Sequence, residues 1–499
     1  MIQIDKSRKP HQTKKSTQSG AAGSKNWAWL VRVLAVLALI GIFVNPTSSV
    51  QALDWFKESM GVKEDDQLTK QDLETLQEVY QTIQKYYIEE IDKETLMQGA
   101  LKGMVQALEE PYSEYLSPEE SQAFDDTVEG SFTGIGVQFM MKDNKATVIA
   151  PIDGTPAAKA GIQANDIFVS VGGQSLDGIT SNEVVQLIRG PEGSKVTLEV
   201  QRGDSRFEVE LTRAEIPITT VTSELDPDHP EVGYLKLTQF ASTTYDELVE
   251  AITDLRAKGA KRFIFDVRYN PGGLLTAALS ISNMFLSDGQ VIMQTVEKDK
   301  KPQEYQATDA NLGDFQVEEP YVVLVDEGSA SASEILAAAI QENTDALIVG
   351  SKTFGKGTVQ NLTTFSEYGE LKLTIAKWLT PQGNWIHDQG LEPDVKVEMP
   401  ALATAIRLNP EETLKAGDAS DFVRSASLML DALGYDLAET TYFNDQMTQA
   451  VKDFQKDHDL EVTGDIHATT AEELMTLSRD YLQENDPQYA KALDVVLNQ

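Results

Sequence analysis

Cysteine is absent from this 499-residue chain, and histidine occurs only five times. Without thiols the chain can form neither a disulfide nor a thiolate metal site, and it has no cysteine nucleophile. The histidines form no HExxH pattern or comparable ligand cluster in the sequence; they are His11, His229, His387, His458 and His467. The sequence therefore predicts no metal site and no cofactor.

Positive charge is also scarce, since the formal net charge at pH 7 is −37. The basic residues are concentrated at the start, where residues 1–44 hold seven lysines and arginines and one acidic residue, Asp5. The remaining residues therefore carry a more negative net charge than the chain as a whole. Nucleic-acid binding needs surfaces rich in lysine and arginine, so nucleic acid is not an expected partner.

One long apolar run follows the basic start. Residues 27–44, WAWLVRVLAVLALIGIFV, contain a single charged residue, Arg32, whose long side chain can reach the membrane surface. These 18 residues are at the lower limit for a helix that crosses a bilayer. The charge bias places the basic tail, residues 1–26, in the cytoplasm. We predict a single-pass anchor and a linker over residues 45–68, whereas cleavage after Ala52 would give a secreted or wall-associated protein.

Residues 69–127 show a helical pattern of apolar side chains. Leu73, Leu76 and Tyr80 recur at spacings of three and four residues. An ordinary amphipathic segment is one interpretation. An arm that caps the protein or forms a homodimer is the other, and the sequence does not separate them.

Short strands separated by glycine turns follow over residues 128–214. A Gly-Ile-Gly turn, the hairpin AGIQANDIF and the helix SNEVVQLIRG occur in the order that resembles a PDZ domain. By that resemblance, four residues form the loop whose backbone N–H groups bind the terminal carboxylate of a peptide: Gly134, Ile135, Gly136 and Val137. The next strand can then pair with the peptide. A PDZ domain that only packs structurally is the alternative.

Residues 215–400 alternate apolar strands with helices and glycine-rich turns, a pattern typical of an α/β domain. The stretch DEGSASASEILAAA, residues 326–339, places three serines at every second position after the strand YVVLV. A serine needs a base to take its proton, and neither His229 nor His387 lies in a serine-protease motif. A lysine with a lowered pKa is another base. Lys356 in FGKG is a candidate, because it lies between two glycines at the end of an apolar strand. Gly-Lys-Gly also suits a phosphate site, although the P-loop pattern G-x-x-x-x-G-K-[ST] does not occur.

Together these motifs resemble the carboxyl-terminal processing proteases, the Ser/Lys peptidases of family S41. The resemblance covers about residues 70–400: a helical segment, an inserted PDZ domain and a split core. It implies that Ser331, the middle serine, is the nucleophile. It also implies that Lys356 is the general base and that Gln360 orients the lysine amine.

The oxyanion formed in such a reaction needs backbone N–H donors. Ala332, next to the nucleophile near the start of a helix, is one candidate. The second comes from the turn NPGG, where the resemblance favours Gly273 over Gly272. Ser329 and Ser333 then take structural roles, and Ser333 is predicted to be the helix N-cap.

Arg189 follows the predicted PDZ helix in QLIRGPEG. It matches an arginine that members of the family use to couple the position of the PDZ domain to the protease. The other interpretation is an exposed arginine in the turn that ends a helix.

Residues 405–480 resemble a small three-helix peptidoglycan-binding module. The matching features are a Leu-Gly-Tyr turn at 433–435, a helix with Phe454 and Gln455, and a last helix that starts after Gly464. A generic helical bundle would use the same apolar positions as its core. Residues 481–499 are predicted to be a C-terminal tail.

The sequence thus predicts a multidomain α+β protein with an α/β split protease core, an inserted PDZ β-domain, an N-terminal transmembrane helix and a C-terminal helical module. The expected function is extracytoplasmic cleavage of proteins with free, apolar C-termini, by a membrane-anchored serine endopeptidase that also binds peptidoglycan. A non-catalytic envelope scaffold is the alternative. A wall hydrolase of the penicillin-binding type is disfavoured, because that class has a lysine where this chain has Glu334.

Overall fold

The structure is a computed structural model that describes residues 67–142, 144–152, 154–203, 205–308, 312–365 and 368–499, and only the backbone of Asn182. The predicted cytoplasmic tail, the transmembrane segment, Ala52 and nearly all of the predicted linker lie outside these residues. Among the residues that are described, no helix has the length and apolarity to span a bilayer. Contacts divide the chain into two units, whose described parts are residues 67–107 and 108–499.

The unit of residues 67–107 consists of two helices, α1 (Lys70–Tyr86) and α2 (Lys93–Gln106). α1 begins with a capping box, in which Thr69 and Asp72 each accept the backbone N–H of the other. Leu73 and Leu76 are each 54% exposed. The periodic apolar residues therefore lie on a helix, as predicted, but they remain exposed.

The end of the predicted helical arm belongs to the larger unit. Strand β1 (Glu114–Leu116) is followed by helix α3 (Pro118–Glu129), which starts at a capping box formed by Ser117 and Glu120. Pro118 lies in the first turn of this helix, where its missing N–H is not needed. In a helix interior a proline would remove a hydrogen bond. The predicted arm is therefore two helices in one unit and a strand and a helix in the other.

The predicted PDZ domain is an antiparallel β-domain with two short helices. Its elements are β2 (Ser131–Gly134), β3 (Val137–Lys142), β4 (Lys145–Pro151), α4 (Pro156–Lys159), β5 (Ile167–Val171), β6 (Gln174–Ser175), α5 (Ser181–Ile188), β7 (Lys195–Arg202), β8 (Ser205–Thr212) and β9 (Ala214–Pro217). The strand order is β3-β4-β5-β7-β8, with β6 paired to β5. β2 pairs with β9, so the chain enters and leaves the insertion side by side. Alternate residues of β7 are buried, because successive side chains of a strand point to opposite faces.

The core domain, residues 215–400, contains two sheets. Its elements are β10 (Val221–Leu225), β11 (Val232–Leu237), α6 (Thr244–Lys258), β12 (Arg262–Asp266), α7 (Leu275–Asn283), β13 (Val291–Glu297), β14 (Gln303–Gln306), β15 (Tyr321–Val325), α8 (Ala332–Asn343), β16 (Leu347–Gly350), β17 (Thr358–Thr364), β18 (Glu370–Leu379) and β19 (Val395–Lys396). One sheet has the order β10-β11-β12-β15-β16-β19 and is parallel from β11 onward. The other is antiparallel, with the order β1-β18-β13-β14 and β17 on β18.

Both faces of the parallel sheet are buried. Phe263 and Phe265 of β12 pack into the main core, which includes residues of α6, α7 and α8. Ile264, between them, faces the opposite side and packs with Ala492 and Val496 from the end of the chain. The uniformly apolar strands of the sequence are thus explained, since a parallel sheet is covered on both sides.

The C-terminal module contains α9 (Asp421–Ala432), α10 (Asp445–Asp457) and α11 (Ala468–Glu484). Its own core includes Val423, Phe443 and Phe454, in agreement with the predicted three-helix pattern. The structure differs from the prediction after this module. Residues 481–499 are not an unstructured tail, because they continue α11 and then form α12 (Pro487–Leu497), which buries its apolar side on the parallel sheet.

Candidate active site

Three loops meet at one edge of the parallel sheet. Strands β12, β15 and β16 are neighbours and run in the same direction. Their carboxyl ends therefore lie together, which is where ligand sites form in open α/β sheets. The loops that follow these strands are residues 267–274, residues 326–331 and residues 351–357.

Ser331 is the residue from which α8 starts, and it is fully buried. Its backbone has φ +57° and ψ −110°, a conformation that is strained for a residue with a side chain. The prediction that Ser333 caps the helix is wrong, because the N-cap is Ser331. The Ser333 hydroxyl instead donates to the carbonyl oxygen of Asn270 at 2.9 Å. Both flanking serines connect loops, since Ser329 Oγ donates to the carbonyl oxygen of Val267 at 2.8 Å.

Glu334 joins the serine loop to the lysine loop. Its Oε2 accepts the N–H of Ser331 at 2.8 Å and the N–H of Lys356 at 2.9 Å. Its Oε1 accepts the Thr353 hydroxyl at 2.6 Å and the Gly355 N–H at 2.7 Å. Burial raises the pKa of this carboxyl, although the four hydrogen bonds oppose that change. One fully buried side chain therefore fixes two segments that are 25 residues apart in the sequence.

Lys356 lies in an environment that disfavours its charge. Burial, and secondarily the positive charge of Lys372, lowers the pKa of Lys356 to about 8, while Glu110 and Glu334 oppose the change. The Lys356 Nζ lies 5.0 Å from the centre of the Tyr112 ring. A lysine with such a pKa is partly neutral near physiological pH and can accept a proton.

The loop of Lys356 is held by aromatic side chains. Trp378 Nε1 donates to the carbonyl oxygen of Lys356 at 2.7 Å, and Trp385 Nε1 donates to that of Gly357 at 2.8 Å. His387 Nδ1 accepts the Gly357 N–H at 3.2 Å, and its ring stacks on that of Trp385. His387 therefore supports the backbone beside the lysine.

Gln360 is buried on β17, with 3% of its surface exposed. Its Nε2 donates to the hydroxyls of Thr358 and Thr374 at 2.9 and 3.0 Å. Its Oε1 is buried and has no hydrogen-bond partner within the described ranges of the chain. The amide orientation thus leaves an acceptor available to a donor in this part of the site.

The NPGG turn lies directly against the serine loop. A Cβ atom on Gly272 would lie 2.9 Å from the Cβ of Ser331 and 2.8 Å from the nitrogen of Ala332, so only glycine allows this approach. The Gly272 N–H already donates to Asn270 Oδ1 at 2.9 Å. The Gly273 N–H, by contrast, has no acceptor in the part of the chain that the structure describes. Of the two glycines, Gly273 is therefore the one with a backbone donor to offer.

The predicted carboxylate loop lies between β2, which ends at Gly134, and β3, which begins at Val137. Gly136 has φ +73°, and a Cβ there would lie 2.3 Å from the Cβ of Thr155. Ile135 is 1% exposed and belongs to the domain core. β3 is an edge strand of its sheet, so its outer hydrogen-bonding side can receive another strand.

Four segments match known families. Residues 231–397 match "Peptidase family S41", residues 147–202 match "PDZ domain" and residues 419–474 match "Putative peptidoglycan binding domain". Residues 40–120 match "Activating protease CtpB N-terminal domain". The chain is also 39% identical over 470 residues to the carboxy-terminal processing protease CtpA of Bacillus subtilis strain 168, covering 94% of this chain and 97% of that protein. This chain belongs to the carboxy-terminal processing proteases of family S41.

A second relative also matches this processing protease over nearly its whole length. A probable CtpA-like serine protease of Staphylococcus aureus strain MSSA476 is 33% identical, and the match covers 96% of both chains. Among solved structures, a photosystem II D1 C-terminal processing protease is 27% identical with a TM-score of 0.38, covering 66% of this chain and 94% of that one. The family predicted from the motifs, with its PDZ domain and peptidoglycan-binding module, is confirmed.

Arg189 connects the PDZ domain of this processing protease to helix α3. It ends α5, and its guanidinium forms an ion pair with Asp126, whose side chain is 8% exposed. The guanidinium also lies 5.2 Å from the centre of the Phe132 ring. The side chain is 32% exposed, so it is not the freely solvated arginine of the plainer interpretation.

Two residues that organise the site of the protease were not among the predicted site residues. They are Glu334, with its four hydrogen bonds, and Asn270, which binds the Gly272 N–H and accepts from Ser333. Both stand inside the motifs SASASE and NPGG, so their position was visible in the sequence. Their roles depend on contacts between segments that lie far apart along the chain.

Proposed function

We propose that this processing protease is an extracytoplasmic serine endopeptidase in which Ser331 and Lys356 form the catalytic dyad. It cleaves proteins whose free, apolar C-termini are bound by the PDZ domain. The observation that carries the proposal is the Glu334 carboxylate, which holds the backbone of both residues while burial keeps the Lys356 pKa at about 8. A scaffold without activity would need neither feature.

In the proposed reaction, neutral Lys356 accepts the hydroxyl proton of Ser331 as its oxygen attacks the scissile carbonyl carbon. Gln360 orients the lysine amine, and its unpaired Oε1 supports this role because a carbonyl oxygen can accept an amine N–H. The Lys356 ammonium then gives the proton to the leaving nitrogen. Water, activated by the same lysine, hydrolyses the resulting acyl-enzyme ester.

The oxyanion is stabilised by the N–H groups of Gly273 and Ala332. Ala332 is the first residue of α8, where the N–H precedes the first intrahelical hydrogen bond. The positive end of the helix dipole favours negative charge at the same place. Gly273 is preferred to Gly272 because the Gly272 N–H is bound to Asn270.

Substrate is recruited by the PDZ domain in this proposal. Backbone N–H groups of residues 134–137 bind the terminal carboxylate, and the peptide pairs with β3. Val137, Phe139 and Met141 of β3 are partly buried against the domain core, and so is Leu187 of α5. These side chains favour an apolar C-terminal sequence.

The location of the protease follows from its two ends. Residues 27–44 anchor it in the membrane, with the catalytic part outside the cytoplasm, and the C-terminal module binds peptidoglycan. The match of residues 419–474 to a peptidoglycan-binding family supports association with the cell envelope. The anchor remains a prediction from the sequence.

The proposed function is tested with fluorogenic peptides that end in the same apolar sequence, either as a free acid or as an amide. We expect Ser331→Ala and Lys356→Ala to abolish cleavage of the free-acid peptide while circular dichroism and Tm show an intact fold. Removing either dyad member takes away the covalent route. We also expect the amide to have a higher KM, because the PDZ loop then has no carboxylate to bind.

Matched controls separate the parts of the proposal. Ser329→Ala removes a neighbouring hydroxyl that bonds the Val267 carbonyl oxygen and both the backbone N–H and the carboxylate of Asp326, and it should retain cleavage if the protein folds. Full activity of Ser331→Ala would refute the dyad. If the wild type binds the tailed peptide but does not cleave it, the non-catalytic scaffold would be favoured. Equal KM values for the acid and the amide would refute carboxylate recognition.

A further inference from the structure

The last helix of the chain, α12, lies along strand β12 beyond the peptidoglycan-binding module. At one end of the contact, Arg262 Nε of β12 donates to the carbonyl oxygen of Val496 at 3.0 Å. At the other end, Arg268 Nη1, two residues after β12, donates to Asp486 Oδ2 at 2.7 Å. Between them, Ala492 and Val496 pack on the sheet. Helix α12 is therefore part of the α/β core, although it follows another domain in the sequence.

Arg268 is the point where this helix meets the active site. It is 8% exposed and makes a bidentate pair with Asp266, which is fully buried. Asp486 and Gln488 complete its surroundings, since Gln488 Oε1 accepts from Arg268 Nη1 at 3.1 Å. A buried guanidinium needs such partners for all its N–H groups. Gln488 is itself buried, and its Nε2 donates to the carbonyl oxygen of Val397 at 2.9 Å.

The turn that starts at Arg268 leads directly to the proposed oxyanion donor. Tyr269 has φ +57°, and its N–H is held by Asp326 Oδ1 at 2.8 Å. Asn270 follows, with its carbonyl oxygen accepting from Ala330 and its side chain accepting from Gly272. Residues 268, 269 and 270 of the turn are thus each held by hydrogen bonds, and those of Arg268 are the first along the chain.

We propose that Asp486 and Gln488 are positioning residues for peptide cleavage that act through Arg268. They fix the start of the turn of residues 267–273 and so place the Gly273 N–H beside Ser331. The inference rests on the proposed function, because it concerns the rate of the same reaction. It assigns to the segment after the peptidoglycan-binding module a role in the chemistry carried out by the core domain.

The test is a comparison of Asp486→Asn with wild type in the full chain. Asp486 also caps α12, because its Oδ1 accepts the N–H groups of Gln488 and Tyr489 at 2.9 Å. Asparagine is an equally good N-cap, but it offers one carbonyl oxygen in place of two and turns an amide N–H₂ toward Arg268 or toward the cap. We expect kcat to fall about tenfold, since small displacements of a catalytic group lower rates steeply. KM and the pH midpoint near 8 should not change, because neither the PDZ loop nor Lys356 is touched.

Tyr489→Phe is the matched control. It lies on the same helix and loses one partly buried hydrogen bond, from Tyr489 Oη to Asp226 Oδ2 at 2.7 Å, without touching Arg268. It should lower Tm and leave kcat unchanged once the folded fraction is measured by circular dichroism at the assay temperature. Asp486→Ser is the second test variant, because serine caps a helix but is too short to reach Arg268.

The outcomes are distinct. A lower kcat in Asp486→Asn and Asp486→Ser, with wild-type kcat in Tyr489→Phe, supports the positioning role. Wild-type kcat per folded molecule in both Asp486 variants would overturn it, as would an equal loss in Tyr489→Phe. Absence of cleavage by the wild type, with Ser331→Ala as the blank, would instead refute the proposed function itself.

Discussion

At the scale of single residues, the site contains a buried lysine whose pKa is lowered and a buried carboxyl group that accepts four hydrogen bonds. Lys356 is kept from full protonation by burial and by Lys372, whereas Glu334 is held by four hydrogen bonds. Lys372 is itself paired with Glu114 at 2.8 Å. The Lys372 charge therefore acts on the pKa of the proposed base, Lys356, through electrostatic repulsion.

The pH dependence of the reaction should report the Lys356 pKa. In the proposed dyad the lysine acts as a base when neutral, so kcat/KM should rise with pH through a midpoint of about 8. Lys372→Met removes a charge that disfavours protonated Lys356, so the midpoint should move upward by roughly half a unit to one unit. Steady-state kinetics from pH 6 to 10, in ~0.1 M salt, measures it.

Glu114→Gln is the control for that shift. It breaks the same ion pair but leaves the Lys372 charge in place. Its midpoint should not move upward. An equal upward shift in both variants would mean that the structural change, and not the lost charge, alters the lysine.

Replacing Glu334 should damage stability and activity together. Glu334→Gln places an amide N–H₂ where a carboxylate oxygen accepts two N–H groups, and leaves those donors unpaired in a buried position. A loss of about 1–3 kcal/mol in the free energy of unfolding is expected. We expect kcat/KM to fall on the order of a hundredfold, because both loops of the proposed dyad lose their common anchor.

Glu342→Gln is the matched change on the same helix, α8. Glu342 Oε2 accepts the Gln382 N–H in an exposed position, so this variant should change the unfolding free energy little. Urea unfolding and peptide cleavage measure both variants. Wild-type cleavage by a folded Glu334→Gln protein would show that the two loops do not need this carboxylate.

At the scale of elements, the PDZ domain and α3 are joined through an ion pair. Arg189 of α5 pairs with Asp126 of α3, and Gln122 Nε2 also donates to Asp126 Oδ1 at 2.9 Å. A cleft of about 790 Å³ lies between the two helices and includes both partners. The ion pair is one contact between the PDZ domain and α3. Breaking it should therefore change the coupling between these two parts more than the folding of either.

A double-mutant cycle tests this coupling. Arg189→Asp and Asp126→Arg each place like charges together and should change the cleavage of a tailed protein several-fold. The exchanged pair should recover at least part of the wild-type rate, because opposite charges face each other again. Binding of the tailed peptide should stay constant. Additive effects in the double variant would show that the pair does not couple the two elements.

At the scale of the whole molecule, the unit of residues 67–107 exposes apolar side chains. Leu73, Leu76 and Val79 of α1 are each 54% exposed, and Met104 of α2 is 64% exposed. Apolar patches of this kind often mark protein–protein contacts. A homodimer is one of the interpretations that the sequence leaves open for these helices; it remains a prediction, and this surface is where it would form.

Sedimentation velocity tests the predicted dimer. Leu76→Glu with Val79→Glu should lower the dimer fraction at micromolar concentration, because each change places a charge in an apolar contact. Glu74→Lys, on the same exposed helix, changes the charge without removing an apolar side chain and is the control. A monomeric wild type, or a dimer that survives the double change, would contradict dimerisation through α1.

Much of the domain order could be predicted from the sequence alone. The motifs of the family, the PDZ turn order and the three-helix pattern are local, because each depends on spacings within one or two elements. The serine, lysine and glutamine candidates also came from local motifs: Ser331, Lys356 and Gln360. The wrong prediction of a Ser333 N-cap also came from a local motif. In the structure the Ser333 hydroxyl instead donates to the carbonyl oxygen of Asn270.

Only the tertiary structure decided what joins these segments. The strand YVVLV is apolar at every position, and the fold shows the reason, because α12 covers the second face of β15. Likewise, Glu334 was visible in SASASE, but its four partners come from two segments of the chain, residue 331 and residues 353–356. A sequence records which residues need burial or a hydrogen-bond partner. Which distant residue meets that need depends on the long-range packing of the sheet and its helices.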